Sequence, residues 1–165
     1  LHSFLRFSPN ACLDALRALK SGAKILTDTH MAKAAIASVN KRTLNSDIQC
    51  VLSEAPDSID STSTTRSAIG MQSVWLDFDK KDQYYIAPIV VIGSSPTALM
   101  ALLDLVEGGC RKPSLIIGMP VGFIGVNESK TRLLNSNCPY ILLEGSKGGA
   151  SVASATINAL LRAAD

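Results

Sequence analysis

The sequence predicts an α/β fold, a three-layer αβα sandwich around a mainly parallel five-stranded sheet. Three observations lead there. Short apolar runs of strand length recur at residues 24–27, 48–52, 88–93, 114–117 and 140–143, and the later ones are too uniformly apolar for a strand with one wet face. Segments of helical periodicity separate these runs, so each strand leads into a crossover and its neighbours run parallel. Polar residues and glycines gather after the strands, at Asp28, Ser94-Ser95, 118–125 and 145–149, where open α/β sheets hold ligands.

The elements follow in order. Ser8-Pro9 offers a capping hydroxyl and a proline for the first turn of a helix with Cys12, Ala15, Leu16 and Leu19 inward and Gly22 as its stop. Residues 24–27 (KILT) form the first strand, and Asp28 is the expected cap of a helix that turns Met31, Ala35 and Ile36 inward. Residues 48–52 (IQCVL) form the second strand, and the Ser, Asp and Pro of 53–62 predict an exposed loop. Thr65 caps a helix to about Leu76, with Ala68, Met71 and either Trp75 or Val74 inward, and 77–83 is a polar turn. Strand three (88–93, PIVVIG) meets Ser94-Ser95-Pro96, again cap and proline, before a helix with Leu99, Leu102, Leu103 and Val106 that ends at Gly108-Gly109. Strand four (114–117) enters a glycine-studded loop and a helix starting near Asn127. Strand five (140–143) is followed by GSKGG and a last amphipathic helix over 152–164.

Composition narrows the partners. A chain of 165 residues, 47% hydrophobic and 18% charged, suits one domain over 1–165 rather than a disordered segment. A net charge of +2 with no basic run and no aromatic ladder argues against nucleic acid. No signal peptide is visible, and no apolar run approaches the ~18 residues of a membrane span. The four cysteines, Cys12, Cys50, Cys110 and Cys138, are scattered without a C-x-x-C pair and read as reduced core thiols of a cytoplasmic protein. The sequence opens on Leu1 rather than methionine, so an N-terminal segment is expected ahead of it.

The most informative stretch is 113–130, PSLIIGMPVGFIGVNESK. Gly118, Gly122 and Gly125 do not have the G-x-G-x-x-G spacing, and no Walker A loop is present, which sets a nucleotide site aside. The loop between them is apolar, so it should face something large and greasy beside something charged. Arg66 stands at a helix start, where the dipole disfavours a cation; it is either an ordinary surface arginine or a bidentate clamp for an acidic ligand. Lys130 and Lys147 lie beside glycine loops and could add positive charge to the same mouth. Glu128 is accounted for by the helix dipole, and Asp28 reads equally as cap or ligand contact. His2 and His30 have neither a nucleophile pattern nor metal-ligand spacing, so no metal site is expected. The residues alone thus describe one site for a ligand apolar in its body and anionic at its rim.

These motifs, in this order, resemble the precorrin-8X methylmutase (precorrin isomerase) family. The strongest likeness is G-M-P-V-G-F-x-G-x-x-E-S-K within 113–130; Phe7-Ser8-Pro9, Thr27-Asp28 with Met31, Thr65-Arg66-Ser67-Ala68, Gly93 with Pro96-Thr97-Ala98-Leu99, and Gly148-Gly149 with Asn158 accompany it. The resemblance implies a homodimeric isomerase of cobalamin biosynthesis that needs no cofactor. Its substrate would be precorrin-8X or cobalt-precorrin-8, and a methyl group would move from C11 to C12 to give hydrogenobyrinic or cobyrinic acid. It implies that Met119, Pro120, Val121 and Phe123 wall the ring while Arg66 and loop amides hold its carboxylates. Substrate contacts are further implied for Asp28, Met31, Thr65 and Ser67, for Ser94, Pro96 and Thr97, for Gly118, Gly122, Glu128, Ser129 and Lys130, and for Gly148 and Gly149. The family's proton-donating histidine belongs to a helical segment upstream of Phe7, which falls before Leu1, so no catalytic residue is carried onto this chain. The alternative is a corrinoid-binding homologue that has lost this histidine. Ser146 stands where the family's G-R-x-G-G loop has arginine, which weakens a carboxylate contact there.

Overall fold

The computed structural model describes residues 2–59 and 64–165. After a 3-10 turn at His2–Phe4 the chain forms β1 (Leu5–Phe7), α1 (Ala11–Lys20), β2 (Ile25–Thr27), α2 (His30–Arg42), β3 (Ile48–Cys50), α3 (Arg66–Asp79), β4 (Ile89–Ile92), α4 (Pro96–Glu107), β5 (Leu115–Gly118), α5 (Val126–Leu134), β6 (Tyr140–Leu143) and α6 (Ala150–Ala164). A single mixed sheet has the order β1-β6-β5-β4-β2-β3. The pairs β6-β5, β5-β4, β4-β2 and β2-β3 are parallel, as their helical crossovers require.

The sheet has six strands where five were expected. The sixth is β1, antiparallel to β6, with Leu5 opposite Leu143 and Phe7 opposite Ile141. Three residues without an apolar run, paired across the whole length of the chain, leave no local signal of a strand.

Alternation along the strands distributes their side chains to two cores. Ile25, Ile89, Val91, Leu115, Ile117, Ile141 and Leu143 pack with α1, α2 and α6. Leu26, Val90, Ile92, Ile116 and Leu142 pack with α3, α4 and α5, where Trp75 is fully buried and donates from Nε1 to the carbonyl of Arg111 at 3.1 Å. Both faces are therefore covered, and β4 and β5 are buried at every position.

Several local expectations change. Asn10 in the left-handed conformation precedes α1, while Ser8 binds β6: it donates from its amide to the carbonyl of Tyr140 and accepts the Tyr140 amide on Oγ. Cys12 is exposed and Ala11, Ala15, Ala18 and Leu19 form the inner face of α1. Thr29, not Asp28, caps α2, and Met31 and Ala35 point outward while Ala32, Ile36 and Val39 are buried. The second strand stops at Cys50 and a 3-10 turn occupies Val51–Glu54, taking the start of the expected loop; residues 60–62 of that loop lie outside the described residues. Helix α3 runs one turn past Leu76, with Phe78 buried.

The chain leaves β2 for α2 on one face and β4 for α4 on the other. The switch point of the sheet thus lies between the carboxyl ends of β2 and β4, and there such folds open a crevice.

Candidate functional site

That crevice is filled from within. Asp28, the residue after β2, is fully buried, and its Oδ2 accepts the amides of Gly93, Ser94 and Ser95 at 3.1, 2.6 and 2.8 Å. Its Oδ1 has no partner among the described residues. Burial pushes the carboxyl above its ordinary value, and the three amides oppose that rise. The protein's own carboxylate therefore takes the amide nest in which an external anion would otherwise sit.

Beside it, the first turns of α3 and α4 meet through hydroxyls. Thr65 contacts Ser67 at 3.1 Å, Ser67 contacts Ser95 at 2.6 Å, Ser95 contacts Thr97 at 3.0 Å, and Thr97 returns to Thr65 at 2.6 Å. Each hydroxyl has one proton, so four protons and four contacts close a ring. Thr65 and Ser95 also accept the Ala68 and Ala98 amides as caps, as expected from sequence. Ser95, expected as a cap and as one of the polar residues gathered after the third strand, is also a member of this ring. Arg66 is exposed at the start of α3, and its Nε donates to the carbonyl of Pro56 at 2.8 Å.

The loop after β5 divides in two. Met119 is fully buried in the core beneath α6 and Pro120 is buried too, so the expected wall is not made by them. The apolar surface is Val121, Phe123 and Ile124, the last two 99% and 93% exposed. Gly122 and Gly125, both at positive φ, bracket that tip. Ile124 belongs to the apolar loop that the sequence expects to face something greasy, although the wall implied by the family resemblance does not include it. The neighbouring loops are in contact: a Cβ on Gly125 would lie 3.8 Å from Pro96, and one on Gly149 would lie 3.9 Å from Val121.

The loop between β6 and α6 packs against the same segment. The Gly149 amide donates to the carbonyl of Met119 at 2.9 Å, and Gly148 approaches that carbonyl too closely for any side chain. Of the two lysines, Lys130 adds no free charge to the mouth. Lys130 is buried with its ammonium on loop carbonyls, and Lys147 lies over the ring of Phe4, 4.4 Å from its centroid. Ser129 is buried and donates to the carbonyl of Val126, whereas Glu128 is exposed in the first turn of α5. Met31 is exposed at the start of α2, as is His30; His2 is exposed in the opening 3-10 turn. That turn reaches this end of the sheet, because the Glu144 amide donates to the carbonyl of Phe4.

Thr65, Ser67, Ser94, Pro96, Thr97, Gly118, Val121, Gly122, Phe123, Gly148 and Gly149 thus lie on connected loops and the adjoining strand and helix ends at one end of the sheet, while Asp28, Met119, Ser129 and Lys130 support them from below. No cluster of three or more His, Cys, Asp or Glu suited to a metal exists among the described residues. A cleft of about 990 Å³ lies elsewhere, on the α3 side, reaching from Ser21, Gly22 and Lys24 to Tyr84, Tyr85 and Pro88 around the amino ends of β2 and β4. No sequence motif points to it. No described helix is long and apolar enough to cross a membrane.

Three comparisons bear on this site. The family model described as precorrin-8X methylmutase (CbiC) matches residues 1–163. The chain is 38% identical over 160 residues to the precorrin-8X methylmutase of Pseudomonas aeruginosa, covering 94% of this chain and 73% of that protein. It is 40% identical over 146 residues to the cobalt-precorrin-8 methylmutase of a Synechocystis species, covering 88% and 63%. The chain thus spans roughly two thirds to three quarters of the length of these curated relatives. A crystal structure of the precorrin-8x methyl mutase from Thermus thermophilus superposes with a TM-score of 0.81 at 30% identity, covering 98% of this chain and 77% of that one.

Proposed function

Because the chain belongs to the precorrin-8X methylmutase family, we propose that it is a corrin-ring isomerase of cobalamin biosynthesis, acting on precorrin-8X or cobalt-precorrin-8. The C11–CH₃ bond breaks, a C12–CH₃ bond forms, and hydrogenobyrinic or cobyrinic acid results. The shift is internal and leaves the oxidation level unchanged, so it calls for no cofactor; cobalt, where present, travels with the substrate. The observation that carries this reading is the joining of an apolar ledge (Val121, Phe123, Ile124) to two helix starts that bear hydroxyls and Arg66. A broad ring rests on the first, and its acetate and propionate arms meet the second.

The proton donor belongs, in this reading, to a histidine ahead of Leu1, at the end of the sheet where His2–Phe4 lies. The near-complete exposure of Phe123 and Ile124 fits a homodimer in which a second copy covers them. A cytoplasmic location fits the free thiols of Cys12, Cys50, Cys110 and Cys138. The test is conversion of precorrin-8 by the full-length protein, followed by the absorbance of the ring. Binding of hydrogenobyrinic acid without conversion would favour the second reading, a corrinoid-binding homologue lacking the histidine.

Arg66→Ala is expected to weaken hydrogenobyrinic acid binding by about 1.5–3 kcal/mol, the worth of a charge-assisted hydrogen bond. Calorimetric titration checks this. An unchanged affinity would return Arg66 to the surface.

A further inference from the structure

Lys130 has no role in the reading above, yet it is among the most constrained side chains of this end of the sheet. It leaves the first half of α5, is 2% exposed, and donates from Nζ to the carbonyls of Gly145 at 2.7 Å and Lys147 at 2.6 Å. These carbonyls belong to a loop with Gly145, Gly148 and Gly149 all at positive φ, tied to its surroundings by the Lys130 ammonium and by the Gly149 amide on the Met119 carbonyl. The same loop places Gly148 and Gly149 against Met119 and Val121 at the apolar ledge. One ammonium thus sets where the loop crosses the floor of the site.

The groups around it do not neutralise the charge. From the end of β6, Glu144 shares a small hollow with Lys130, Asn127, Thr131 and Gly145, but its carboxylate is paired with Arg6 at 2.6 Å. From α5, Glu128 is exposed and Arg132 is engaged by Asp104 and Glu107. From the loop itself, Lys147 offers its carbonyl while its own ammonium lies over Phe4. Carbonyl dipoles alone hold the charge, and burial lowers the Lys130 ammonium to about 8.

We propose that Lys130 is a positioning residue of the corrinoid site: its ammonium clamps the Gly145 and Lys147 carbonyls and holds the 145–149 loop in the ligand-accepting shape, and the loop slackens when the ammonium loses its proton. The proposal rests on the corrinoid reading of the site. It gives affinity and stability opposite signs above neutral pH. A lysine whose pKa falls on folding binds its proton less readily folded than unfolded, so its contribution to stability rises between about 8 and the ordinary value of 10.5. Ligand affinity falls over the same window, because a neutral amine holds two carbonyls less firmly than an ammonium.

The test titrates hydrogenobyrinic acid into the full-length protein from pH 7 to 9.5, a range in which the ligand's carboxylates stay ionised. Wild-type affinity is expected to drop about tenfold, the ratio of a charged to a neutral hydrogen bond, with no fall in melting temperature that tracks it. Lys130→Gln, neutral throughout, is expected to bind about tenfold more weakly at pH 7, with a flat profile. Wild-type affinity in that variant, or a wild-type slope, would overturn the proposal. Amide exchange of 145–149, corrected for its intrinsic pH dependence, reads the clamp without ligand. It should accelerate above pH 8 in the wild type and be uniformly fast in Lys130→Gln. Loss of all corrinoid binding with this exchange pattern intact would sink the site reading and leave the clamp standing; exchange indifferent to pH and to Lys130→Gln would sink the clamp.

Discussion

Asp28→Ala is expected to destabilise the fold by about 4 kcal/mol, because it strips a charged acceptor from three amides at once. Gly93 is buried, and Ser94 and Ser95 are partly so; their amides point at Asp28 Oδ2 and not at another carbonyl. Without it the turn between β4 and α4 loses its anchor, and with that turn go the cap of α4 and two members of the hydroxyl ring. Asp28→Asn keeps an acceptor of the same shape and should retain more of the stability. The pair also has a pH signature. A carboxyl whose pKa is raised on folding stabilises the native state below the ordinary carboxylate range and loses that contribution as pH rises through its raised value. The wild type should show that slope and Asp28→Asn should not. Urea denaturation across the acid range measures both, and a loss below 1 kcal/mol in Asp28→Ala would show that water replaces the carboxylate.

Gly148→Ala is expected to cost about 3 kcal/mol, as a side chain forced into close packing does, and to remove corrinoid binding. A Cβ there would stand 2.2 Å from the carbonyl oxygen of Met119 and 2.8 Å from that of Pro120. Both obstacles are backbone, so no rotamer change relieves the collision. The loop must lift, breaking the bond from the Gly149 amide to Met119 and the Lys130 clamp together. Gly145→Ala, with open space around its Cβ, is the control: it meets strain at φ 75 but no collision. Thermal denaturation and titration with hydrogenobyrinic acid compare the two. Equal, small losses would mean that the loop adapts at little cost.

The parts of the fold legible in sequence are those with local causes. Thr65 and Ser95 are followed by the helices they cap, and Pro96 occupies a first helical turn whose missing amide costs nothing. Strand β6, Tyr140–Leu143, is legible to the residue because an apolar run lies between Pro139 and a glycine loop. What escaped was long-range. Asp28 and Thr29 are both good caps, and only the amides 65 to 67 residues away decide that Asp28 turns to them. Met119 and Phe123 are both apolar in one glycine-rich loop, and the close approach of 148–149 decides that the first is core and the second surface. Lys130 reads as a positive charge for the mouth of the site until the loop that its stem reaches is in place. The gathering of these loops at one end of the sheet is therefore legible in sequence, whereas the division between their outward-facing residues and the residues that hold them is not.

The short antiparallel β1 has a consequence for the behaviour of the protein in concentrated solution. Without Leu5–Phe7, the outermost strand on that side would be β6, four consecutive apolar residues with their amides and carbonyls open along one flank. Such a flank is a template for another chain. Arg6, exposed on β1 and paired with Glu144, puts a charge where a stacking neighbour would have to lie. Three residues, of which Leu5 alone packs against a core, thus act as a selvedge, finishing the sheet so that it does not continue into its neighbours.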